Sequence, residues 1–148
     1  MSRPSWRQYF LDVAKVVSSR ATCPRASVGA VMVRDNHIIL TGYNGAPSGD
    51  SHCIDVGCDL IVITEEETHC KKAIHAEANV ILKAAKYGIS TNNCDMYIYA
   101  DPYMKCCWRC KQILRNSGIS VVYYIDASEV IRPDFHQFCF KTDIIDPM

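Results

Sequence analysis

Residues 70–81, "CKKAIHAEANVI", place His75 and Glu77 two positions apart, where an apolar helical pattern begins. In the middle of a helix, residues two apart point in different directions and share no face. At the start of a helix the chain is still turning in, so both side chains can converge near the exposed backbone N–H groups. The stretch therefore predicts a helix with a functional site at its N-terminus.

A second stretch, "CCWRC" at residues 106–110, supplies partners for His75. Cys107 and Cys110 have the C-x-x-C spacing that lets two thiolates bind one tetrahedral zinc ion, and they open a second predicted helix. Helix N-termini favour ionised thiolates. Three protein ligands leave a fourth position for water, which is typical of a catalytic zinc site. Glu77 then stays off the metal and carries protons.

Zinc nucleobase deaminases have the signature H-x-E followed by P-C-x-x-C, and this chain has the same motifs in the same order, with Cys106 at the proline position. Either half alone is a weak pattern, and the alternative interpretation is a structural zinc site or a chance cluster. Cys106 could replace Cys107 as the ligand, but its separation from Cys110 fits a shared zinc ion less well. We therefore assign Cys107.

The remaining pattern predicts one α/β domain over residues 1–148. Strands alternate with helices in the second half, so we expect helices packed on a central sheet. The stretch 44–70 is too long for a plain connection, which indicates that it is functional or held by metal. The predicted strands are 27–33, 37–43, 96–100 and 120–124; the predicted helices follow Ser5, run from Ile74 to Gly88 and from Cys107 to Ser117, and include a C-terminal helix in "RPDFHQFCF".

Composition favours a small-molecule substrate. The chain has 16 basic and 16 acidic residues, and the basic ones are scattered. A protein that binds a nucleic-acid backbone is normally more basic. We see neither a signal peptide nor an apolar run of the ~18–20 residues that cross a membrane, so we expect a cytoplasmic protein without a membrane partner.

The chain has nine cysteines, an odd number that fits disulfides poorly without a secretory signal. Cys94 and Cys139 stand alone and are expected to be ordinary buried thiols. Four further thiols could form a closed structural zinc site that holds the 44–70 stretch, although His52 and His69 lie beside two of them and the ligand set stays open. The alternative is a group of plain buried thiols. These four are Cys23, Cys53, Cys58 and Cys70.

At this point the sequence resembles the deoxycytidylate (dCMP) deaminase family over about residues 6–125. The resemblance implies a five-stranded mixed sheet with helices on both faces, a cytidine-deaminase-like fold. It implies hydrolysis of dCMP to dUMP, a precursor for thymidylate synthesis, and ammonia, with water attacking C4 of the base and Glu77 passing a proton to N3 and to the leaving amine. The matching segments are "CPRASVGAVMV", "TGYNGAPSG", "HAEANVILKAA" and "CWRCKQILRNSGISVVYY".

The resemblance also implies partners and regulation. The family is commonly a homo-hexamer, activated by dCTP with Mg²⁺ and inhibited by dTTP. The cysteine pattern is similar to the phage and bacterial branch, whose members carry a second structural zinc; a phage origin would mean the host cytoplasm. The segment expected to contribute to effector binding consists of Gly42, Tyr43, Asn44 and Gly45.

Two features depart from the family pattern. Cys106 stands where the family usually has proline, and the loop "ADPYMKC" before the zinc cysteines is longer. Because of these two departures, the family pattern does not determine which residues form the wall of the substrate pocket.

Substrate contacts follow from the family and from chemistry. By resemblance the Asn44 amide binds the sugar 3′-hydroxyl or positions the substrate; the alternative is an ordinary turn residue. Tyr103 could stack on the base. A 5′-phosphate needs cationic or hydrogen-bond donors, which are otherwise surface groups. The donors near the motifs are Arg25, Ser27, Lys105 and Arg109.

Other functions remain as alternatives. A deaminase of bases in tRNA or single-stranded DNA would need a more basic surface. A non-catalytic zinc module would have no need for Glu77. A further alternative is that free cytidine is the substrate, although "GYNG" and the phosphate donors favour the monophosphate. The sequence also leaves open dCTP as an additional substrate.

Overall fold

The computed structural model describes residues 2–65 and 68–131, without the side chains of residues 68 and 69. The C-terminal helix predicted from "RPDFHQFCF", and Cys139 within it, lie outside the described residues. The helices are α1 (Trp6–Ser18), α2 (Cys53–Val56), α3 (Ala76–Tyr87) and α4 (Trp108–Asn116); the strands are β1 (Ser27–Arg34), β2 (His37–Tyr43), β3 (Leu60–Val62), β4 (Thr68–Cys70), β5 (Cys94–Asp101), β6 (Ile119–Tyr123) and β7 (Ser128–Val130).

The main sheet has five strands in the order β2-β1-β5-β6-β7. Strand β1 is antiparallel to both β2 and β5, β5 is parallel to β6, and β6 is antiparallel to β7. A parallel pair needs a crossover connection, and α4 supplies it between β5 and β6. The predicted five-stranded mixed sheet is therefore confirmed.

The two faces of the sheet bury alternate residues of the same strands. Ala30 and Met32 of β1 belong to the core under α3 and α4. Val31 and Val33 belong to a second core, built around Phe10 of α1. Because successive strand side chains point to opposite faces, the one strand serves both cores. Helices thus cover both faces, as predicted.

Helix α1 begins at an N-cap and is tied to the far end of the sheet. The Ser5 hydroxyl accepts a hydrogen bond from the Gln8 N–H at 3.1 Å, which satisfies one of the free donors of the first turn. The Arg7 guanidinium donates to the carbonyl oxygens of Tyr124 and Ala127 at 2.8 and 2.6 Å. These bonds connect α1 to the β6–β7 connection.

The turn between β1 and β2 and the end of α3 both use positive φ angles, and α3 ends where the sequence predicted. Asp35 and Asn36 have φ of 51° and 59°, the pair of positive values that a two-residue type I′ hairpin requires. Helix α3 ends at Gly88, which adopts the left-handed conformation.

The long segment after β2 contains a short helix, α2, and the two-stranded sheet β3–β4. Its two ends are joined, because Gly45 and Ile74 exchange backbone hydrogen bonds of 3.2 and 2.8 Å. This bridge brings the chain back to the sheet immediately before His75. The segment therefore delivers the start of α3 to a fixed place.

Strand β2 is an edge strand, and side chains of α3 bind its backbone. The Lys83 ammonium donates to the carbonyl oxygen of Thr41 at 2.7 Å. The Asn79 amide donates to that of Tyr43 at 2.8 Å. Helix α3 is thereby attached along the outer strand. None of the helices in the described part of the chain combines the length and apolar character that a membrane crossing requires.

Candidate metal centre and active site

The N-termini of α3 and α4 meet on one face of the sheet. His75 is the N-cap residue of α3, and Cys107 is the N-cap residue of α4. The Cys107 sulfur accepts a hydrogen bond from the Cys110 N–H at 3.5 Å. Both caps have extended backbone, so their side chains project beyond the helix ends toward each other. The sequence predicted this convergence.

The three predicted metal ligands lie at separations suited to one zinc ion. The His75 Nδ1 atom is 3.5 Å from the Cys107 sulfur and 3.4 Å from the Cys110 sulfur. All three ligand atoms lie within 4.8 Å of one another. Tetrahedral zinc with bonds of about 2.3 Å to sulfur and about 2.0 Å to nitrogen sets its ligand atoms about 3.6 Å apart. The residues therefore fit the ion.

The pKa values of the three triad residues are shifted by their contacts with one another. The hydrogen bond from Cys110, together with the contact to His75, outweighs burial and lowers the pKa of Cys107 to about 3. The pKa of Cys110 is raised, chiefly by its hydrogen bonds to Cys106 and Cys107. The hydrogen bond with Cys107 raises the pKa of His75. The lowered pKa of Cys107 favours its thiolate form, which is the form that binds a metal ion.

Glu77 is a buried carboxyl group beside the triad but outside it. Its side chain is 5 % exposed. Burial raises its pKa, while a backbone hydrogen bond and His75 oppose the shift. A carboxyl group with a raised pKa exchanges protons near neutral pH more readily than an exposed one. This environment suits a proton carrier.

A cavity of about 460 Å³ opens onto His75, Glu77 and Cys107. Buried Asn44 forms part of its wall. The Asn44 Oδ1 atom accepts from the Val28 N–H at 2.9 Å, and its Nδ2 atom donates to the Ala26 carbonyl at 3.0 Å. These bonds fix the orientation of the amide at the cavity.

The predicted phosphate donors, and Tyr103, which was predicted to stack on the base, divide into two groups. Arg25 and Lys105 line the cavity. Ser27, Tyr103 and Arg109 are not among its lining residues in the described part of the chain. The Tyr103 hydroxyl instead donates to Asp126 at 2.7 Å, and the Arg109 guanidinium lies 5.3 Å from the centre of the Trp108 ring.

Sequence reasoning missed the apolar wall of the cavity. Val28 and Ile98 lie on strands, where an apolar residue has the pattern of an ordinary core position. Met104 lies in the loop before the zinc cysteines, and only the unusual length of that loop pointed to it. The remaining lining residues include Cys23, Cys70, Ala73 and Pro102.

The sulfur atoms of the second cysteine cluster, Cys23, Cys53, Cys58 and Cys70, are farther apart than the ligand atoms of the zinc triad. Cys53 is buried and Cys58 is exposed. The pKa of Cys53 is raised chiefly by burial. The neighbouring charge of Cys70 raises it further, and the charges of Cys23 and Cys58 add smaller contributions. Among the described residues, no three of these thiols have sulfur atoms within 4.8 Å of one another. The second structural zinc stays a prediction.

The "GYNG" segment has packing roles in this structure. A side chain at Gly42 would place its Cβ 2.9 Å from the Ala76 carbonyl oxygen of α3. Tyr43 and Gly45 line a second cavity, of about 300 Å³, together with Lys83 and Lys86. The predicted effector role of the segment remains a prediction.

Similarity to known proteins agrees with this site. Residues 4–126 match the family described as the cytidine and deoxycytidylate deaminase zinc-binding region. ComE operon protein 2 of Bacillus subtilis is 43% identical over 126 residues, which are 85% of this chain and 62% of that protein. The deoxycytidylate deaminase of Mycobacterium phage D29 is 35% identical over 131 residues, 84% of this chain and 97% of that protein.

A solved structure, the dCMP deaminase of cyanophage S-TIM5 in complex with dCMP and dUMP, shares 26% identity and superposes with a TM-score of 0.66 over 84% of this chain and 83% of that one. The chain thus spans less than two thirds of the Bacillus protein and nearly all of the phage D29 protein. Taken with the family match over residues 4–126, these similarities show that the chain belongs to the cytidine and deoxycytidylate deaminase family.

Proposed function

We propose that this chain is a zinc-dependent hydrolase that converts dCMP and water to dUMP and ammonia. The observation that carries the proposal is a His–Cys–Cys triad with zinc-compatible separations beside a buried carboxyl group, Glu77, that lies outside the triad. A structural zinc site needs no such group. The similarity to a phage deoxycytidylate deaminase of nearly the same extent supports dCMP as the substrate.

His75, Cys107 and Cys110 would hold the zinc ion. When bound, zinc supplies the Lewis acidity that makes water a nucleophile near neutral pH. The three ligands come from two helix ends on one face of the sheet, so the protein fixes their mutual positions before the ion arrives. This preorganisation leaves the cavity side open to substrate.

Glu77 would move the protons. It accepts one from the attacking water and delivers it to N3 of the cytosine ring. It then passes the remaining proton of the new C4 hydroxyl to the C4 amine, which leaves as ammonia. The C4–N bond breaks and a C4–O bond forms, which balances the hydrolysis. Burial raises the pKa of Glu77 above the usual range of a carboxyl group, which is the direction that a group that both accepts and donates protons requires.

The cavity wall would position the nucleotide. Val28, Ile98 and Met104 offer apolar surface to the base, and the fixed Asn44 amide lies where it can meet the sugar. Arg25 and Lys105 provide positive charge for a 5′-phosphate. These contacts favour a nucleoside monophosphate over free cytidine.

The test is ammonia release from dCMP, cytidine, dCTP and a cytosine-containing oligonucleotide. Zinc-loaded protein should deaminate dCMP preferentially. Glu77→Gln should reduce that rate by about 100-fold or more while retaining zinc, since only the proton carrier is lost. Glu65→Gln, which alters an exposed carboxylate, is the matched control. Absence of dCMP turnover by zinc-loaded protein would refute the proposal, and activity confined to the oligonucleotide would reassign the substrate.

Regulation and assembly belong to the same proposal. We infer a homo-hexamer that acts in the cytoplasm, activated by dCTP with Mg²⁺ and inhibited by dTTP. Lys83 and Lys86 place two cations at the second cavity beside Tyr43 and Gly45, which is suitable charge for a triphosphate. Lys86→Ala should weaken the response of the dCMP rate to both triphosphates. Light scattering that gives a monomer mass would contradict the hexamer.

A second, structural zinc is proposed for the Cys23, Cys53, Cys58 and Cys70 cluster. Elemental analysis should find two tightly bound zinc ions per chain. Cys53→Ser should remove one of them, because Cys53 is the buried thiol of the cluster. A single tight zinc in the unaltered protein would exclude the second site.

A further inference from the structure

Cys106 lies between the zinc triad and the proton carrier. It is 1 % exposed, although it sits in the chain next to a ligand that faces the cavity. Its backbone N–H donates to the Tyr124 hydroxyl at 2.9 Å, and this buried bond fixes the residue in place. The fold therefore fixes the backbone from which its buried sulfur projects.

Three ligand atoms converge at this point. The Cys106 sulfur, the Cys110 sulfur and a Glu77 carboxylate oxygen all lie within 4.8 Å of one another, and all three residues are buried. This group shares Cys110 with the zinc triad but contains neither His75 nor Cys107. Within the described residues, the protein thus has two adjacent triads of metal-binding atoms joined through one sulfur.

The ligand atoms of the second triad lie within 4.8 Å of one another, close enough for a small adjustment to bring them to the separations that a metal ion requires. On a tetrahedral zinc ion, two thiolates lie about 3.8 Å apart, and a thiolate and a carboxylate oxygen lie about 3.6 Å apart. Two sulfurs and one oxygen form a donor set that suits zinc and softer divalent cations rather than magnesium or calcium. Glu77 lines the 460 Å³ cavity, which provides a path for the ion to enter.

We propose that Glu77, Cys106 and Cys110 form a second, weaker site for a thiophilic divalent cation, and that its occupation inhibits the enzyme. The Cys110 sulfur bridges the two ions, so each ion receives a smaller share of its charge. An ion bound to Glu77 occupies the carboxylate that would otherwise carry protons. Binding at this site stands on geometry alone, whereas inhibition rests on the proposed deaminase activity.

Equilibrium dialysis of the full-length protein against increasing free Zn²⁺, under reducing conditions, tests the binding. The unaltered protein should take up one weaker zinc equivalent beyond its tight ones. Cys106→Ser and Cys106→Ala should lack that equivalent, whereas Cys94→Ser should keep it. Cys94 is an equally buried thiol at the other end of β5, so it controls for loss of a buried sulfur.

Two further measurements keep the binding test decisive. Glu77→Gln should lose or weaken the same equivalent while keeping the tight zinc, and this variant leaves every thiol in place. Cd²⁺ added to the zinc-loaded protein should produce ultraviolet thiolate-to-metal absorbance that is smaller in Cys106→Ser. Equal zinc uptake by the unaltered protein and the folded Cys106 variants would overturn the proposal.

The inhibition is tested by following dCMP turnover as free Zn²⁺ rises. The rate of the unaltered protein should fall at the concentration that fills the weaker site. Cys106→Ser, compared with its own rate without excess zinc, should resist that fall. Binding without inhibition would overturn the inhibitory role. If no variant turns over dCMP, the proposed function fails while the dialysis result still decides whether the site exists.

Discussion

At the scale of single residues, the Tyr124 hydroxyl illustrates how a remote group positions the metal ligands. Tyr124 is 1 % exposed and lies beyond the end of β6, yet its hydroxyl accepts the backbone N–H of Cys106. Its own carbonyl oxygen is held by Arg7 of α1. The loop that carries the zinc thiols is therefore anchored through Tyr124 to the opposite side of the sheet.

Tyr124→Phe should weaken zinc binding without touching a ligand. The substitution leaves the buried Cys106 N–H without its partner, a loss that costs about 1–3 kcal/mol. We expect lower stability in urea and faster zinc loss to a chelator. Tyr97→Phe, a buried tyrosine on the α1 face, should not alter zinc retention. Equal chelator kinetics for both variants would show that the hydroxyl does not position the loop.

At the scale of elements, the seating of α3 on β2 determines where His75 and Glu77 lie. Gly42 allows this close approach, because an added Cβ would lie 2.9 Å from both the Ala76 carbonyl oxygen and the Val80 side chain. Gly29 performs the corresponding role on the other face, where an added Cβ would overlap the Ala14 carbonyl oxygen of α1. The two glycines thus seat different helices.

Gly42→Ala and Gly29→Ala should both destabilise the fold, by about 1–3 kcal/mol or more, because neither backbone contact can yield cheaply. Only Gly42→Ala should displace the start of α3. We therefore expect it to lower the dCMP turnover and zinc retention of the folded fraction, while the folded fraction of Gly29→Ala keeps both. The comparison requires activity per folded molecule, measured at a temperature where circular dichroism shows both variants folded. Equal losses in the two variants would contradict the specific role of Gly42.

The elements also show how far the sequence predicts this structure. Helices α1, α3 and α4, and strands β1, β2, β5 and β6, were predicted within about two residues, because each is long enough to repeat its apolar period. The three- and four-residue elements α2, β3, β4 and β7 were not, since so short a stretch carries no period. Their pairing depends on contacts distant in sequence.

The same division holds for the site. The spacing of the H-x-E and C-x-x-C motifs predicts the zinc triad and Glu77, because each motif lies at the start of a helix. The apolar wall does not, since Val28 and Ile98 serve as strand residues and cavity lining at once. Tyr103 and Arg109 are not among the lining residues in the described part of the chain; Tyr103 binds Asp126, and Arg109 lies over the Trp108 ring. Neither the loop position of Tyr103 nor the helical position of Arg109 shows in the sequence which partner its side chain will contact.

At the scale of the whole molecule, the zinc triad joins chain segments that are 32 residues apart, at His75 and Cys107. Strand β5 lies between them in the sequence and forms the centre of the sheet. A bound ion would therefore link two helices and enclose the central strand. Since the unfolded chain does not present this triad, metal binding favours the folded state.

Removal of zinc should lower the melting temperature. With free zinc at about 100 times its dissociation constant, binding adds about 2.7 kcal/mol to stability, equivalent to about 5–10 °C for a chain of this size. Calorimetry with zinc and after chelation measures the difference, and His75→Ala should show a smaller one. Identical melting temperatures with and without zinc in the unaltered protein would indicate that the metal does not stabilise the fold.

The attachment of α3 along β2 also affects how this chain meets other copies of itself. An uncovered outer strand presents backbone donors and acceptors to any passing strand, which is a common route to aggregation. Here the carbonyl oxygens of Thr41 and Tyr43 are already occupied by Lys83 and Asn79. Two acceptors of β2 are therefore already engaged within the chain, which makes the strand a poorer template for pairing with another chain. We therefore expect the closed assembly that we propose to form through helix and loop surfaces rather than through β2.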